Sequence, residues 1–414
     1  MSPGRFGKIL FSSIFAMLLA LFSAGCWGSR EVDEAAYVLA VGLDRGPGGD
    51  LFFSMAIADV PSTPGPSPSG TTETSRRGTR FVSARAPGFF SGLTRCNALL
   101  EKPPNLTHLK LLVFSEELAR AGIDEYLDSF VRWREFRRTV YIAVAEGSAA
   151  PVIAALAETR EENAGEYLEL LLANQMAAGS IPSGQFLRFY NDFRTKGESP
   201  LAITIARGSE TEPAHTLPER PSRSRGATAG EGPIRLSGAT IFKGGRMIGR
   251  LSREETMAAA LIRGDLRQTF VTLPRPAEAK AKMELRVMPA KKPRLVVVRA
   301  GRGVRFALTL FLRAEVVDVE RGTGERGVPR LATAERALAE WMEERCRAVF
   351  AKAQSLQADF LDFAGKARWL VPDWPAWRRW NWEASFAEAP LHLKVEVDVD
   401  QTGLIVDENT LREE

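Results

Sequence analysis

Three cysteines and three histidines are the side chains of this 414-residue sequence best equipped for nucleophilic, acid–base or metal chemistry. One of them sits in a context that prescribes a reaction. Cys26 follows Ser23-Ala24-Gly25. Small residues before a cleavage point let a chain enter a narrow protease site. A cysteine directly after the cut offers a thiolate for transfer of a diacylglyceryl group. The expected chemistry is cleavage between Gly25 and Cys26 with thioether lipidation of Cys26. The preceding residues fit this. Arg5 and Lys8 form a short basic region, and residues 9–22 carry no charge. That run is short for a spanning helix of about 20 residues and suits the apolar core of a signal peptide. Residues 1–25 therefore read as a signal peptide, and residues 27–414 are expected outside the cytoplasm. No later stretch approaches 18 apolar residues.

The other candidates point away from a reaction. Cys96 and Cys346 show no metal-ligand spacing; one disulfide between them is open to the sequence, but Cys96 falls in a helix-like stretch and Cys346 on the apolar stripe of a long helix, so buried free thiols are the favoured reading. His108 opens a strand, His215 lies in a polar linker and His392 lies on a polar strand face; no two are close enough to suggest a metal pair. No G-x-S-x-G, H-E-x-x-H or P-loop is present. Gly42-Leu43-Asp44 and Gly244-Gly245 are too slight for a phosphate loop. Arg132, Arg134, Arg137 and Arg138 alternate with Tyr126, Phe130, Trp133 and Phe136. Such a mixture can meet nucleic acid or anionic lipid head groups, but an amphipathic helix with a solvated face explains it more simply. Trp369, Trp374, Trp377, Trp380 and Trp382 could hold a cation or a sugar; core and rim of one domain is the preferred reading. Asp359 and Asp362 could be paired carboxylates, but cap or turn roles near a helix end are favoured. Glu31, Asp33 and Glu34 keep the segment after the anchor solvated. No catalytic residue, metal site or cofactor is therefore expected, and no ligand-binding residue can be named.

The elements that must position these residues follow from periodicity. Strands are expected at 35–44, 51–60, 108–115 and 140–145. Helices are expected at 87–100, 116–121, 124–138, 148–156 (Ser148 as N-cap), 165–178 and 185–195. Residues 61–79 are rich in Pro, Ser, Gly and Thr and read as a mobile loop. Residues 208–233 have no apolar period and read as a linker. Beyond it, Lys243-Gly244-Gly245 joins strands 234–242 and 246–251, because both glycines tolerate positive φ. Ser252-Arg253-Glu254-Glu255 is a capping box, with Gly264 as the stop. Strands at 268–273, 282–288, 294–299 and 304–317 look mostly antiparallel. Thr333 can open the longest helix, to about Gly365, a rod of about 46 Å at 1.5 Å per residue. Strand 391–399 alternates apolar and charged residues, the outline of a half-exposed sheet.

This pattern predicts a multidomain α+β protein with mixed sheets, packed helices and one long helix in the carboxyl-terminal domain. The expected organisation is an N-terminal domain over 26–207, the linker 208–233, and a C-terminal region over 234–414 in two subdomains split near 275–290. Lys plus Arg is 55 and Asp plus Glu is 51. Without Arg5 and Lys8 the balance is 53 against 51, too even for a nucleic-acid protein.

Several segments, in order, resemble one family. Ser23-Ala24-Gly25-Cys26 matches the lipobox of bacterial lipoproteins, with Ser23 where Leu is usual. Gly25-Cys26-Trp27, Arg30-Glu31 and Gly42-Leu43-Asp44 resemble the opening of the Ger(x)C lipoproteins, the C subunits of GerA-type spore germinant receptors. His108-Leu109-Lys110 with Glu116, Ala119, Gly122 and Ile123 resembles the next block, and Arg134-Glu135-Phe136-Arg137 with Val144 and Gly147 continues it. Residues 236–243, Gly249 and Leu251 are similar to the family's central hairpin. Gln354, Asp359, Trp380, Phe386, residues 391–399 and Gly403 are similar to its carboxyl-terminal block. The departures are Ser23, Gly28 where an acid is common, and the long segments 61–79 and 208–233. The resemblance implies three mixed α+β domains, no catalytic role, and a lipid-anchored subunit on the outer face of the spore inner membrane. It also implies work beside a membrane-spanning A subunit and a transporter-like B subunit. The alternative, a solute-binding lipoprotein of a transporter, would want two similar lobes around a cleft, and the two halves here differ.

Overall fold

The computed structural model describes residues 34–58, 79–133, 135–158, 164–208, 234–273, 283–301, 303–319 and 331–400. The strands are β1 (Ala36–Arg45), β2 (Leu51–Ala58), β3 (Thr79–Ala86), β4 (Pro104–Asn105), β5 (Leu111–Phe114), β6 (Tyr141–Ala145), β7 (Leu201–Arg207), β8 (Ile234–Lys243), β9 (Arg246–Leu251), β10 (Thr269–Leu273), β11 (Met283–Ala300), β12 (Gly303–Val319) and β13 (Leu391–Asp400). The helices are α1 (Phe89–Asn97), α2 (Glu116–Ala121), α3 (Asp124–Arg132), α4 (Ala150–Ala157), α5 (Ala164–Ala177), α6 (Phe186–Arg194), α7 (Arg253–Arg263), α8 (Leu331–Ser355), α9 (Ala364–Ala367), α10 (Trp374–Arg379) and α11 (Trp382–Ala387). None of the described helices is long and apolar enough to cross a membrane.

The first sheet runs β3-β2-β1-β5-β6-β7-β8-β9, with β4 beside β1. Strands β1, β5, β6 and β7 are parallel. Parallel strands with helices on both sides bury both faces, which is why these segments read as unbroken apolar runs. In β1, Val38, Val41 and Leu43 join one core with Phe89, Leu127 and Phe186 of α1, α3 and α6. Ala40 joins the other, with Val152 of α4 and Leu168 of α5. The Gly-Gly hairpin forms as expected, and β8 pairs with β7, so residues 234–251 complete the first sheet. Edge strand β3 was not expected: Thr79, placed at the end of a loop, opens it, and residues 59–78 lie outside the described residues.

The second sheet runs β10-β11-β12-β13. Here the chain corrects two expectations. The strands read at 282–288 and 294–299 are one strand, β11, which continues through Pro289 and Pro293 by shifting register around Lys291. Proline lacks the N–H that a ladder needs and is tolerated at such irregularities. The sheet is mostly antiparallel, as expected, with β10–β11 and β11–β12 antiparallel and β13 parallel to β12. The crossover through α8 covers the sheet face, burying Leu338, Met342, Cys346 and Val349 against Leu308 and Leu310. Second, the long helix stops at Ser355, giving 25 residues and about 37 Å, and Thr333 lies inside it. Gln357 and Asp362 take φ of 48° and 68°, and Ala358, Phe360 and Phe363 turn into the core. Neither glycine nor proline marks this break; packing makes it.

Helix α3 is likewise shorter than periodicity suggested, ending at Arg132 rather than 138. Phe130 and Phe136 are both buried and stack at 4.8 Å between ring centroids. Six residues apart on one helix they would point to different sides, so the backbone leaves the helix to bring them together. The capping box at Ser252 and the stop at Gly264 (φ 78°) form as read.

Candidate functional site

A cluster of buried and half-buried charges sits where the two sheets meet. Arg263, at the end of α7, is only 7% exposed in its side chain. It pairs with Asp192 of α6 at 3.0 Å and with Asp265 at 3.5 Å, and donates to the Phe360 carbonyl at 2.9 Å. Arg188 reaches Asp265 at 3.4 Å. Burial works against the charge on Arg263, but Asp192 and Asp265 outweigh it and hold its pKa above normal. Asp359 lies alongside in the loop after α8. Its carboxylate accepts the backbone N–H groups of Leu361, Phe363 and Ala364 at 3.2, 3.2 and 2.6 Å, and the Trp382 indole N–H at 3.3 Å. Its carbonyl accepts the N–H of Ser199 at 2.9 Å.

Burial pushes the Asp359 carboxyl up to about 6, against the pull of those N–H donors. Burial, reinforced by Asp192, Asp362 and Asp359, lifts Glu198 to about 8. Asp362 is raised by burial and pulled back by Arg263 and Arg188. Asp359 therefore fills the turn-and-cap role read from sequence, ahead of α9, although off the long helix rather than on it. It is 3% exposed, so no substrate reaches it. The cavity beside Arg263, Asp192 and Thr256 holds about 10 Å³, room for one water. Among the described residues no group of three His, Cys, Asp or Glu side chains is placed to hold a metal ion.

The tryptophan turn divides in two. Trp377 and Trp382 are each 1% exposed, whereas Trp369 is 79% and Trp374 41% exposed. Asp373 caps α10 by accepting the Ala376 N–H at 2.7 Å. The Lys196 amine, ahead of β7, donates to the carbonyls of Arg378 and Trp380. Two open grooves of about 350 and 450 Å³ flank Trp380 and Asn381. The turn is thus core on one side and rim on the other.

The remaining candidates stay apart. His108 meets Tyr37 edge-on at 4.9 Å, and burial, then Arg137 and Lys110, lower its pKa. His392 is exposed on β13, and Arg132, Arg137 and Arg138 are exposed around buried Phe136. Gly25, Cys26, Glu31, Asp33, Arg134 and His215 lie outside the described residues. Cys96 and Cys346 are free and buried in separate cores. Burial lifts their thiols to about 11 and about 12, which keeps them protonated and unreactive.

Comparison with known proteins adds what geometry alone does not. Residues 28–207 match the family described as the spore germination protein N-terminal domain, and residues 237–403 match spore germination B3/GerAC like, C-terminal. The chain belongs to the Ger(x)C family of spore germination proteins. Relatives in Bacillus subtilis include the putative spore germination protein YfkR, 21% identical over 96% of this chain and 98% of its own length. Another is spore germination protein KC, 21% identical over 95% of each. In Bacillus cereus, spore germination protein GerQC is 20% identical over 94% of this chain and 98% of its own. The crystal structure of the GerBC protein matches with a TM-score of 0.51 at 16% identity, over 87% of this chain and 96% of that one, a shared α+β fold.

The residues that carry the Ger(x)C resemblance turn out to build the fold. A Cβ on Gly42 would lie 2.5 Å from Ser54 Oγ and 2.7 Å from Ile153 Cγ1, so only glycine lets α4 lie this close to β1. The Asp44 carboxylate accepts the N–H groups of Ala149 and Ala150 at 2.6 and 2.9 Å, satisfying donors at the start of α4. Ser148 does not cap that helix; an aspartate 105 residues upstream does. Glu116 pairs with Arg120 at 2.8 Å and Arg250 at 2.7 Å, tying α2 to β9. Gln354 donates to the Phe386 and Ala389 carbonyls at 2.9 and 2.8 Å. Arg263 and Glu198 belong to no block read from sequence. A basic residue in the last turn of α7 is ordinary, and nothing local signals its burial.

Proposed function

We propose that this chain is the lipid-anchored, non-enzymatic C subunit of a nutrient germinant receptor, held through Cys26 on the outer face of the spore inner membrane beside membrane-spanning A and B subunits. One observation carries the reading. Two halves of one spore germination family follow each other in order, directly behind Gly25-Cys26. The geometry supports a role by contact: the acidic cluster is sealed and the thiols are protonated. Two acyl chains give a stable anchor where one gives marginal binding. A diacylglyceryl Cys26 confines the folded part to a thin layer, which raises its effective concentration toward membrane partners.

Deletion of this chain should abolish dipicolinic acid release in response to the cognate nutrient and leave release by receptor-independent triggers intact. A normal nutrient response in the deletion strain, with no second receptor present, would overturn the reading. Cys26→Ala should take up no labelled fatty acid, since the thioether requires the sulfur; labelled lipid on that variant would remove the anchor.

A further inference from the structure

The exposed side of the tryptophan turn does not look like ordinary solvated surface. Trp369 offers 79% and Trp374 41% of its surface to solvent. The Arg368 guanidinium lies 5.6 Å from the Trp369 ring centroid and 5.1 Å from that of Trp374, and Arg378 lies 5.7 Å from Trp374 on its own account. Lys366, Arg368, Arg378 and Arg379 are all exposed. Over residues 363–380 these four basic groups face one acid, Asp373, whose carboxylate is engaged by the Ala376 N–H. Arg299, at the β11 end, adds a further exposed cation 5.8 Å from the Trp380 ring. Tryptophan, apolar in body and polar at one edge, is the side chain enriched at membrane–water interfaces, and clustered arginine favours anionic head groups.

The topology places this patch toward the tether. Strands β1, β5, β6 and β7 are parallel, so their first residues lie along one edge of the sheet. The register aligns Ala40 with Leu111, Leu111 with Tyr141, and Ala143 with Ile203. That puts Leu201 level with Ala40, three strand spacings of about 4.8 Å away. Ala36 opens β1 four residues before Ala40, and Gly197 lies four residues before Leu201 in the turn that leads into β7 at that edge. Beside Gly197, Lys196 holds the Trp380 carbonyl at 3.0 Å, and a Cβ on Gly197 would lie 2.5 Å from Trp382 Cδ1. The turn is therefore fixed to the edge at which the chain leads back to Cys26. Ala36 lies ten positions beyond Cys26, a reach of about 35 Å at most. The exposed pair Arg137 and Arg138, just ahead of β6, lines the same edge.

We propose that Trp369 and Trp374, with Arg368, Arg378 and Arg379, form a second membrane contact that docks on anionic lipid head groups of the bilayer holding the chain. The contact orients the folded part edge-down, so that the second sheet is held against the membrane rather than swinging on its tether. It rests on the anchored reading only for that tether.

The test uses the full processed chain reconstituted in vesicles whose acyl chains are brominated, either phosphatidylglycerol in phosphatidylcholine or phosphatidylcholine alone. Bromine quenches tryptophan only at bilayer depth. Trp27 lies beside the anchor, so the signal is read as the difference between the unaltered chain and Trp369→Phe/Trp374→Phe. That difference should be quenched on the anionic vesicles and not on the neutral ones. Arg368→Glu/Arg378→Glu/Arg379→Glu should weaken it roughly fivefold per charge removed, and rising salt should do the same, with circular dichroism unchanged. A difference signal unquenched on anionic vesicles would overturn the proposal. So would quenching that ignores the charge reversal, or a patch shielded only in native membranes that contain other receptor subunits, which would assign it to a protein partner. The quenching reads the patch whatever tethers the chain, whereas mass spectrometry of Cys26 tests the anchor by itself, so the two failures are distinguishable.

Discussion

Trp374 and Trp382 lie eight positions apart and share a turn, yet one faces water and the other is 1% exposed. The inner side meets Phe306 and Phe386 at 6.1 and 5.9 Å and hands its indole N–H to Asp359. The outer side meets guanidinium groups. The six-residue helix α10, started by the Asp373 cap, turns Trp377 inward while Trp374 stays out. The inner side belongs with Arg263 and Asp359 to the seam that joins the sheets, and the outer side is available for contact. Residue type is the same on both sides; what differs is whether neighbouring elements complete the environment.

That comparison can be broken most directly at the seam. Trp382→Ala should lower the unfolding free energy by about 3–5 kcal/mol, as expected for a large buried aromatic. Arg263→Ala should cost a similar ~3–5 kcal/mol, because it leaves Asp192 and Asp265 without their buried partner. Urea unfolding followed by circular dichroism measures both. A loss below ~1 kcal/mol in both variants would mean that the seam does not hold the sheets together.

Gly42→Ala tests the packing in the first sheet. The added methyl collides with Ser54 and Ile153, and overpacking of this kind costs about 1–3 kcal/mol. Its effect should exceed that of any substitution on the exposed side of the turn.

A third expectation concerns pH. Glu198 and Asp359 have folded pKa values of about 8 and about 6, above their ordinary values of 4.5 and 3.8. The folded chain therefore keeps protons that the unfolded chain has released. Their contribution to stability is complete below pH 3.8, shrinks as pH rises through 6 to 8, and is gone above that. Denaturation midpoints measured between pH 4 and 9 should fall across this window. Glu198→Gln should flatten the upper part; an unchanged slope would show that Glu198 does not titrate there.

The smallest effect belongs to the outer side. Trp369→Ala should change stability by no more than ~0.5 kcal/mol. A larger cost would mean that Trp369 is packed like its inner neighbours.

The sequence specified what depends on neighbours a few residues away. Strands β1, β5, β6 and β13, the glycine hairpin after β8 and the capping box of α7 were legible, because period and turn chemistry act locally. The breaks after Arg132 and Ser355 were not legible: no helix-stopping residue marks them, and the burial of Phe136, Phe360 and Phe363 sets them. Asp44 read as part of a slight glycine motif, yet it caps a helix 105 residues away. Arg263 was singled out by no sequence feature, yet it is enclosed by carboxylates from α6 and the loop beyond α7. Only the tertiary structure decided these, because desolvation and hydrogen-bond satisfaction depend on which distant elements close over a side chain, and one-dimensional spacing does not carry that information.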